Sequence, residues 1–244
     1  MIPPELRVGV VPLVSGERMT HSENSSTPKS DGPPPSGQVP PWGINYVSLL
    51  QEAQNVLKQD VITALAGELP YVWSEAYLRM MPRATNIVRF RYGTFEYIYD
   101  DYATLEANGA VPYDPDFEAR LVAVSGRSAV QRRKRDDYRL KGWVGATEKT
   151  FGHGWDKGHF IAHSIGGAVN QAEVNVFVQR RDLNRGWSDA GKRFREMERY
   201  CEMTPGTFCF SRPVYLNQTA KPAFVEFGLL KNGSEFWVEC FENQ

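Results

Sequence analysis

Residues 155–167 read WDKGHFIAHSIGG and bring Asp156, Lys157, His159 and His163 into one short segment. Three of the four histidines in the chain, His153, His159 and His163, fall within eleven residues. Such a cluster could hold zinc or supply a base. A zinc helix of the H-E-x-x-H kind needs Glu directly after the first His, and Phe160 stands there. The three histidines also lack a convincing fourth ligand for a closed tetrahedral site. Phosphodiester hydrolysis asks for a different set: a base near neutral pKa to activate water, a hard cation, and Arg or Lys facing the charge that develops on phosphorus. Neutral imidazole suits the base. Mg²⁺ keeps several of its waters and needs few oxygen ligands from protein. His159 follows a glycine, and Asn184 lies 25 residues on, at a helix start beyond an apolar run that can bring the two together.

These residues resemble the DNA/RNA non-specific endonucleases of the ββα-metal, or His-Me finger, class, in a toxin-like variant. The family's Asp-Arg-Gly-His signature reads here Asp156-Lys157-Gly158-His159, followed by GHFIAHSIGG. Downstream stand Asn175, Gln179, LNRG with Asn184, and FREME with Phe194 and Glu198. The likeness covers about residues 90–205 in order. It implies that His159 is the general base and that Asn184 holds one Mg²⁺ (or Mn²⁺), with Glu198 beside the metal. It implies that Asn175 orients the histidine loop, Asp156 and Gly158 shape it, and Arg127 supports the phosphate, with Arg132 and Arg133 as competitors. Lys157, Arg132 and Arg185 become substrate-binding cations. Lys157 stands where Arg is usual, which keeps charge and loses the bidentate fork. Fourteen positions separate Asn184 from Glu198, more than the family pattern, so Glu196 is a rival, and Trp187 could be the family's aromatic.

The elements needed to position this set are visible in the periodicities. Residues 20–43 are rich in Ser, Pro, Gly and Thr and read as a disordered linker. From Asn45 to Ala66 apolar residues recur at helical spacing, with Asn45 as cap, and a second helix over Val72–Met80 follows the break expected at Pro70. NIVRFRYG and TFEYIYDDYA form strands around Gly93, EARLVAV another, and EVNVFVQ a short apolar strand. Asp182 caps a helix whose regular part starts near Ser188, and three strands end the chain, the last two joined at KNGS. The expected fold is α+β: a ββα-metal core with a central, mostly antiparallel sheet and flanking helices. Residues 1–43 are the extended N-terminal segment, 44–85 a helical extension and 86–244 the nuclease domain.

Composition sets the outer bounds. The 244 residues are 41% apolar and 23% charged, ordinary for a globular chain. No apolar run approaches the ~20 residues of a membrane helix, and the N-terminus lacks the pattern of a Sec signal, so localisation stays open. The net charge of −1 conceals an imbalance: residues 126–200 hold sixteen Lys and Arg against nine Asp and Glu. Cys201, Cys209 and Cys240 read as buried, reduced thiols, with Cys201 and Cys209 able to pair in an oxidising compartment. The function expected is metal-dependent, sequence-nonspecific cleavage of DNA, RNA or both, with a protein inhibitor as a further partner if the chain is a toxin. The competing class is a degenerate nuclease fold that only binds nucleic acid or protein.

Overall fold

The computed structural model describes residues 42–55, 59–81, 83–113, 117–131, 151–168 and 172–244. The fold is α+β, built on a six-stranded sheet in the order β1-β2-β3-β6-β7-β8. Its strands are β1 (Ile87–Tyr92), β2 (Phe95–Asp100), β3 (Arg120–Arg127), β6 (Phe208–Val214), β7 (Phe224–Lys231) and β8 (Glu235–Glu242). Every neighbouring pair is antiparallel. The hairpin turns use residues that tolerate positive φ: Gly93 at 59°, and Asn232 and Gly233 at 52° and 72°. A second, two-stranded ribbon pairs β4 (Trp155–His159) with β5 (Val176–Arg180).

Both faces of the large sheet are covered, and the strands alternate accordingly. On β2, Phe95, Tyr97 and Tyr99 enter one core while Ile98 enters the other. On β6, Cys209 enters the first and Phe208 and Phe210 the second. The first core is shared with the ribbon and with Phe194, Met197 and Cys201 of a long helix. The second is closed by α1 (Tyr46–Asn55) and α2 (Val61–Met80), through Tyr46, Leu50, Leu65, Leu69, Trp73 and Tyr77. The N-terminal helices therefore supply one of the two layers that bury the sheet.

Several local expectations change. The helix expected over Asn45–Ala66 is two helices. Asn45 caps the first, accepting from Ser48 N at 3.1 Å, and Asp60 caps the second, accepting from Thr63 N at 3.2 Å. Pro70 does not end a helix: α2 runs through it to Met80. An interior proline costs about 3 kcal/mol; here burial of Leu65, Leu69, Trp73, Ala76 and Tyr77 on either side outweighs it. Finally, the Pro-rich segment expected to be a disordered linker has a docked end. Trp42 stacks on Phe224 at 5.5 Å, and its carbonyl accepts from Arg212 Nη2 at 2.6 Å. Residues 20–41 of that segment lie outside the described residues. Cys201 and Cys209 are free and buried as expected, whereas Cys240, on the outer strand β8, is exposed.

Among the remaining described elements are α3 (Tyr102–Ala107), a single turn α4 (Ala172–Asn175), α5 (Arg181–Arg185) and α6 (Asp189–Met203). Asp182 lies inside the first turn of α5 rather than capping it, where it pairs with Arg180 at 2.7 Å. Ser188 caps α6, its hydroxyl accepting from Gly191 N at 3.1 Å. No described helix is long and apolar enough to cross a membrane.

Candidate active site

The ribbon sets the site. In its register Asp156 faces Gln179, Gly158 faces Phe177 and His159 faces Val176. Glycine at 158 is required by space: a Cβ there would lie 1.9 Å from Gln179 Oε1 and 2.6 Å from Gln179 Cβ. The clash reaches the root of the Gln179 side chain, so it is not relieved by rotating the amide alone. Gly158→Ala should therefore force the ribbon apart, lowering stability by about 1–3 kcal/mol, as read from urea unfolding. A variant as stable as wild type would show that the ribbon has slack at this point.

The loop after His159 is held by Asn175, which is 0% exposed. Its Oδ1 accepts from Ile161 N at 3.0 Å, and its Nδ2 donates to Ile161 O and Ala168 O, both at 2.9 Å. Its own carbonyl accepts from Phe160 N at 2.9 Å. One buried amide thus satisfies both strands of the loop, a use available to Asn and to no acid or aliphatic of that size. Asn175 is fully buried behind the site and acts as a positioning residue. The paired glycines have separate reasons. Gly166 adopts φ 103°, and Gly167 packs so tightly that a Cβ would sit 1.9 Å from Ile161 O. On the other side of the ribbon, Asn243 ties the chain end to β5 by accepting from Arg180 N at 2.8 Å and donating to Val178 O at 2.9 Å.

The two C-terminal helical pieces complete the wall. Gly186 ends α5 in the left-handed region at φ 69°. Gly191 lets α6 press against that end, where a Cβ would be 2.5 Å from Asp182 O. The result is a cleft of about 310 Å³ whose lining includes His159, His163, Gln179, Asn184, Arg195 and Glu198. Glu198 lines it, while its rival Glu196 is exposed on another side of α6.

Asp156 organises one side. Its carboxylate accepts from Arg181 Nε at 3.0 Å, from Arg185 Nε and Nη2 at 2.7 and 3.1 Å, and from Asn184 Nδ2 at 3.2 Å. Burial pushes its pKa up, but donation by Arg185, Asn184 and Arg181 outweighs this and holds it below the ordinary carboxylate value. A carboxylate can only accept, so the Asn184 NH₂ must face Asp156. The amide oxygen Oδ1 is thereby turned to the opposite side of a residue that lines the cleft. Across the cleft, burial raises the Glu198 carboxyl to about 7, Arg195 partly offsetting this and Glu202 adding to it.

That shift has a stability consequence. A carboxyl raised from 4.5 to about 7 in the folded protein costs nothing below pH 4.5, where both states are protonated. Stability is then lost as pH rises from 4.5 to about 7, because the unfolded chain releases the proton more readily. Glu198→Gln cannot ionise. In chelator, its urea midpoint should exceed that of wild type by an amount that opens between pH 4.5 and 7 and stays open above. Parallel pH profiles would refute the shift.

The oxygen-rich donor set fits a hard divalent cation. Asn184 supplies an oriented amide oxygen, and Glu198 is a carboxylate whose buried charge a cation would neutralise. Among the described residues no three of His, Cys, Asp or Glu are grouped to hold a metal ion of any kind. His153 is exposed in a turn, away from the cleft lining.

Some expected residues are not brought here. Arg127 lines a different groove, with Thr63 and Arg91, and pairs with Asp60 at 3.1 Å. Arg132 and Arg133 lie outside the described residues. Arg185 is committed to Asp156 and stacks on Trp187, its guanidinium 5.1 Å from the ring centre. Lys157 is half-buried on β4, and burial holds its ammonium below the ordinary value. Among the described residues Arg195 is a cation that lines the cleft, and sequence reasoning passed over it. The signal was available: Arg195 is three residues before Glu198 on one helix, hence on the same face. Its Nη2 also donates to Asn184 O at 3.2 Å, joining α6 to α5. Gln179, noted only as a spacing mark, also lines the cleft. Neither family models nor curated proteins give a match to this chain.

Proposed function

We propose that this protein is a divalent-metal-dependent, sequence-nonspecific endonuclease with a ββα-metal core formed by β4, β5 and the helices that follow. The observation that supports this reading best is the convergence of His159, Asn184, Glu198 and Arg195 on one cleft from three separate elements. His159, at the end of β4, takes a proton from water as the water attacks phosphorus. The pKa of imidazole suits that transfer near neutral pH. Arg195 faces the negative charge that grows on the phosphoryl oxygens. Asn184, oriented by Asp156, and Glu198 are the residues that would hold Mg²⁺ or Mn²⁺. The bound cation supplies charge neutralisation of the phosphate and of the departing oxygen. Asn175 and Gly158 keep the histidine loop and ribbon in register.

Nothing in this set reads a base edge, which fits cleavage without sequence preference. Incubation with plasmid DNA and with RNA in Mg²⁺ tests the reading. Fragments of unbiased sequence that disappear on adding EDTA are expected. Salt-sensitive binding without cleavage would instead identify a nucleic-acid-binding module.

A further inference from the structure

Trp187 is 62% exposed. A single exposed apolar side chain is ordinary, and exposure alone selects nothing: Tyr71 is also open, but sits on α2 on the far side of the sheet. Trp187 differs in three ways. It follows Gly186, whose left-handed turn ends α5, and its backbone N–H is fixed to Asp182 O at 2.8 Å. It lies three positions after Asn184, so at most about 11 Å of chain lies between them. And the Arg185 guanidinium lies over its ring at 5.1 Å while bound in bidentate fashion to Asp156. The same carboxylate orients Asn184. An indole held in this manner retains little freedom for a ligand to remove.

We propose that Trp187 is a stacking platform for an unpaired nucleobase, making single-stranded nucleic acid the preferred substrate. The proposal rests on the nuclease reading above and names its substrate class. With one ring face on the guanidinium, the indole offers the other to a flat aromatic partner. Bases within a duplex have both faces covered by their neighbours; those of a single strand do not. The strand whose phosphate enters the cleft carries its next bases past the end of α5. There the platform meets them, and Arg185 adds positive charge beside the backbone. Stacking tolerates any base, which agrees with cleavage lacking sequence preference.

The test uses the full chain with Trp187→Ala and Trp187→Phe. Binding of a fluorescent oligothymidine and of a hairpin duplex is measured in the His159→Ala background with EDTA, and cleavage kinetics with Mg²⁺ in the otherwise wild-type chain. Trp187→Ala should weaken oligothymidine binding and raise its KM about tenfold, within the range for one stacked base. The duplex should change less than twofold, Trp187→Phe should recover most of the loss, and the ratio between variants should persist as salt rises. Equal losses on both substrates, or no loss on the single strand, would overturn the platform. The two claims separate. Cleavage without strand discrimination refutes the platform and leaves the nuclease reading standing. Strand-selective binding that depends on Trp187, with no cleavage by any form, supports the platform and refutes the nuclease reading.

Discussion

His159→Ala is expected to lower the cleavage rate by about two to four orders of magnitude, the usual contribution of a positioned general base. The loss should fall on kcat, because the residue acts on the water and not on the strand. Binding of plasmid or oligonucleotide should stay within about twofold of wild type. Folding should also be preserved. The loop after His159 is held by hydrogen bonds between its backbone and the Asn175 side chain, and the neighbouring Phe160 stacks on Phe177 at 4.2 Å. Circular dichroism and urea unfolding check this. A variant that is folded, binds and does not cut isolates the chemical step.

The second large effect concerns Asn184. Asn184→Ala removes the oriented amide oxygen and should cut activity by about a hundredfold at limiting Mg²⁺, with partial recovery at high metal concentration. Asp156→Ala should give part of the same loss, about 10–100-fold in metal affinity, since the carboxylate fixes which end of the amide faces the cleft. The two effects should not add. Once Asn184 is gone, the remaining cost of losing Asp156 is that of its pairs with Arg181 and Arg185. A metal titration of cleavage across the two single variants and the double variant reads the coupling. Strict additivity would mean that Asp156 acts on the ribbon alone.

Much of the sheet was legible because strands write a period of two, and β1, β2, β3 and the three final strands lie where the alternation and turns put them. The helical region was less legible. Pro70 is a strong local signal, but local propensity was overruled by the apolar stripe on both sides of it, which only the sheet face explains. Asp60 as a cap lay hidden inside a run whose apolar spacing continued on either side. In the site, His159 and Asn184 were nominated by type and spacing, while Asp156, Gly158, Asn175 and Glu198 came from the family resemblance; the structure places His159, Asn184 and Glu198 on one cleft and Asn175 behind it. Arg195 was legible from its place three residues before Glu198 on one helix, but the groove that Arg127 would reach was not. A cation is selected by where its strand or helix ends in space, and β3 ends at another groove. The choice of Glu198 over Glu196 is likewise a matter of helix face, settled once Phe194 and Met197 are known to point into the core.

The central claim is that this cleft hydrolyses phosphodiesters using His159 and a divalent cation. The most direct measurement is the rate of supercoiled-plasmid nicking against Mg²⁺ concentration, for wild type and His159→Ala side by side, with an EDTA control. Metal-dependent nicking by wild type, abolished in EDTA and lost in a folded, DNA-binding His159→Ala protein, is the predicted result. Nicking by His159→Ala at the wild-type rate, or by wild type undiminished in EDTA, would contradict it.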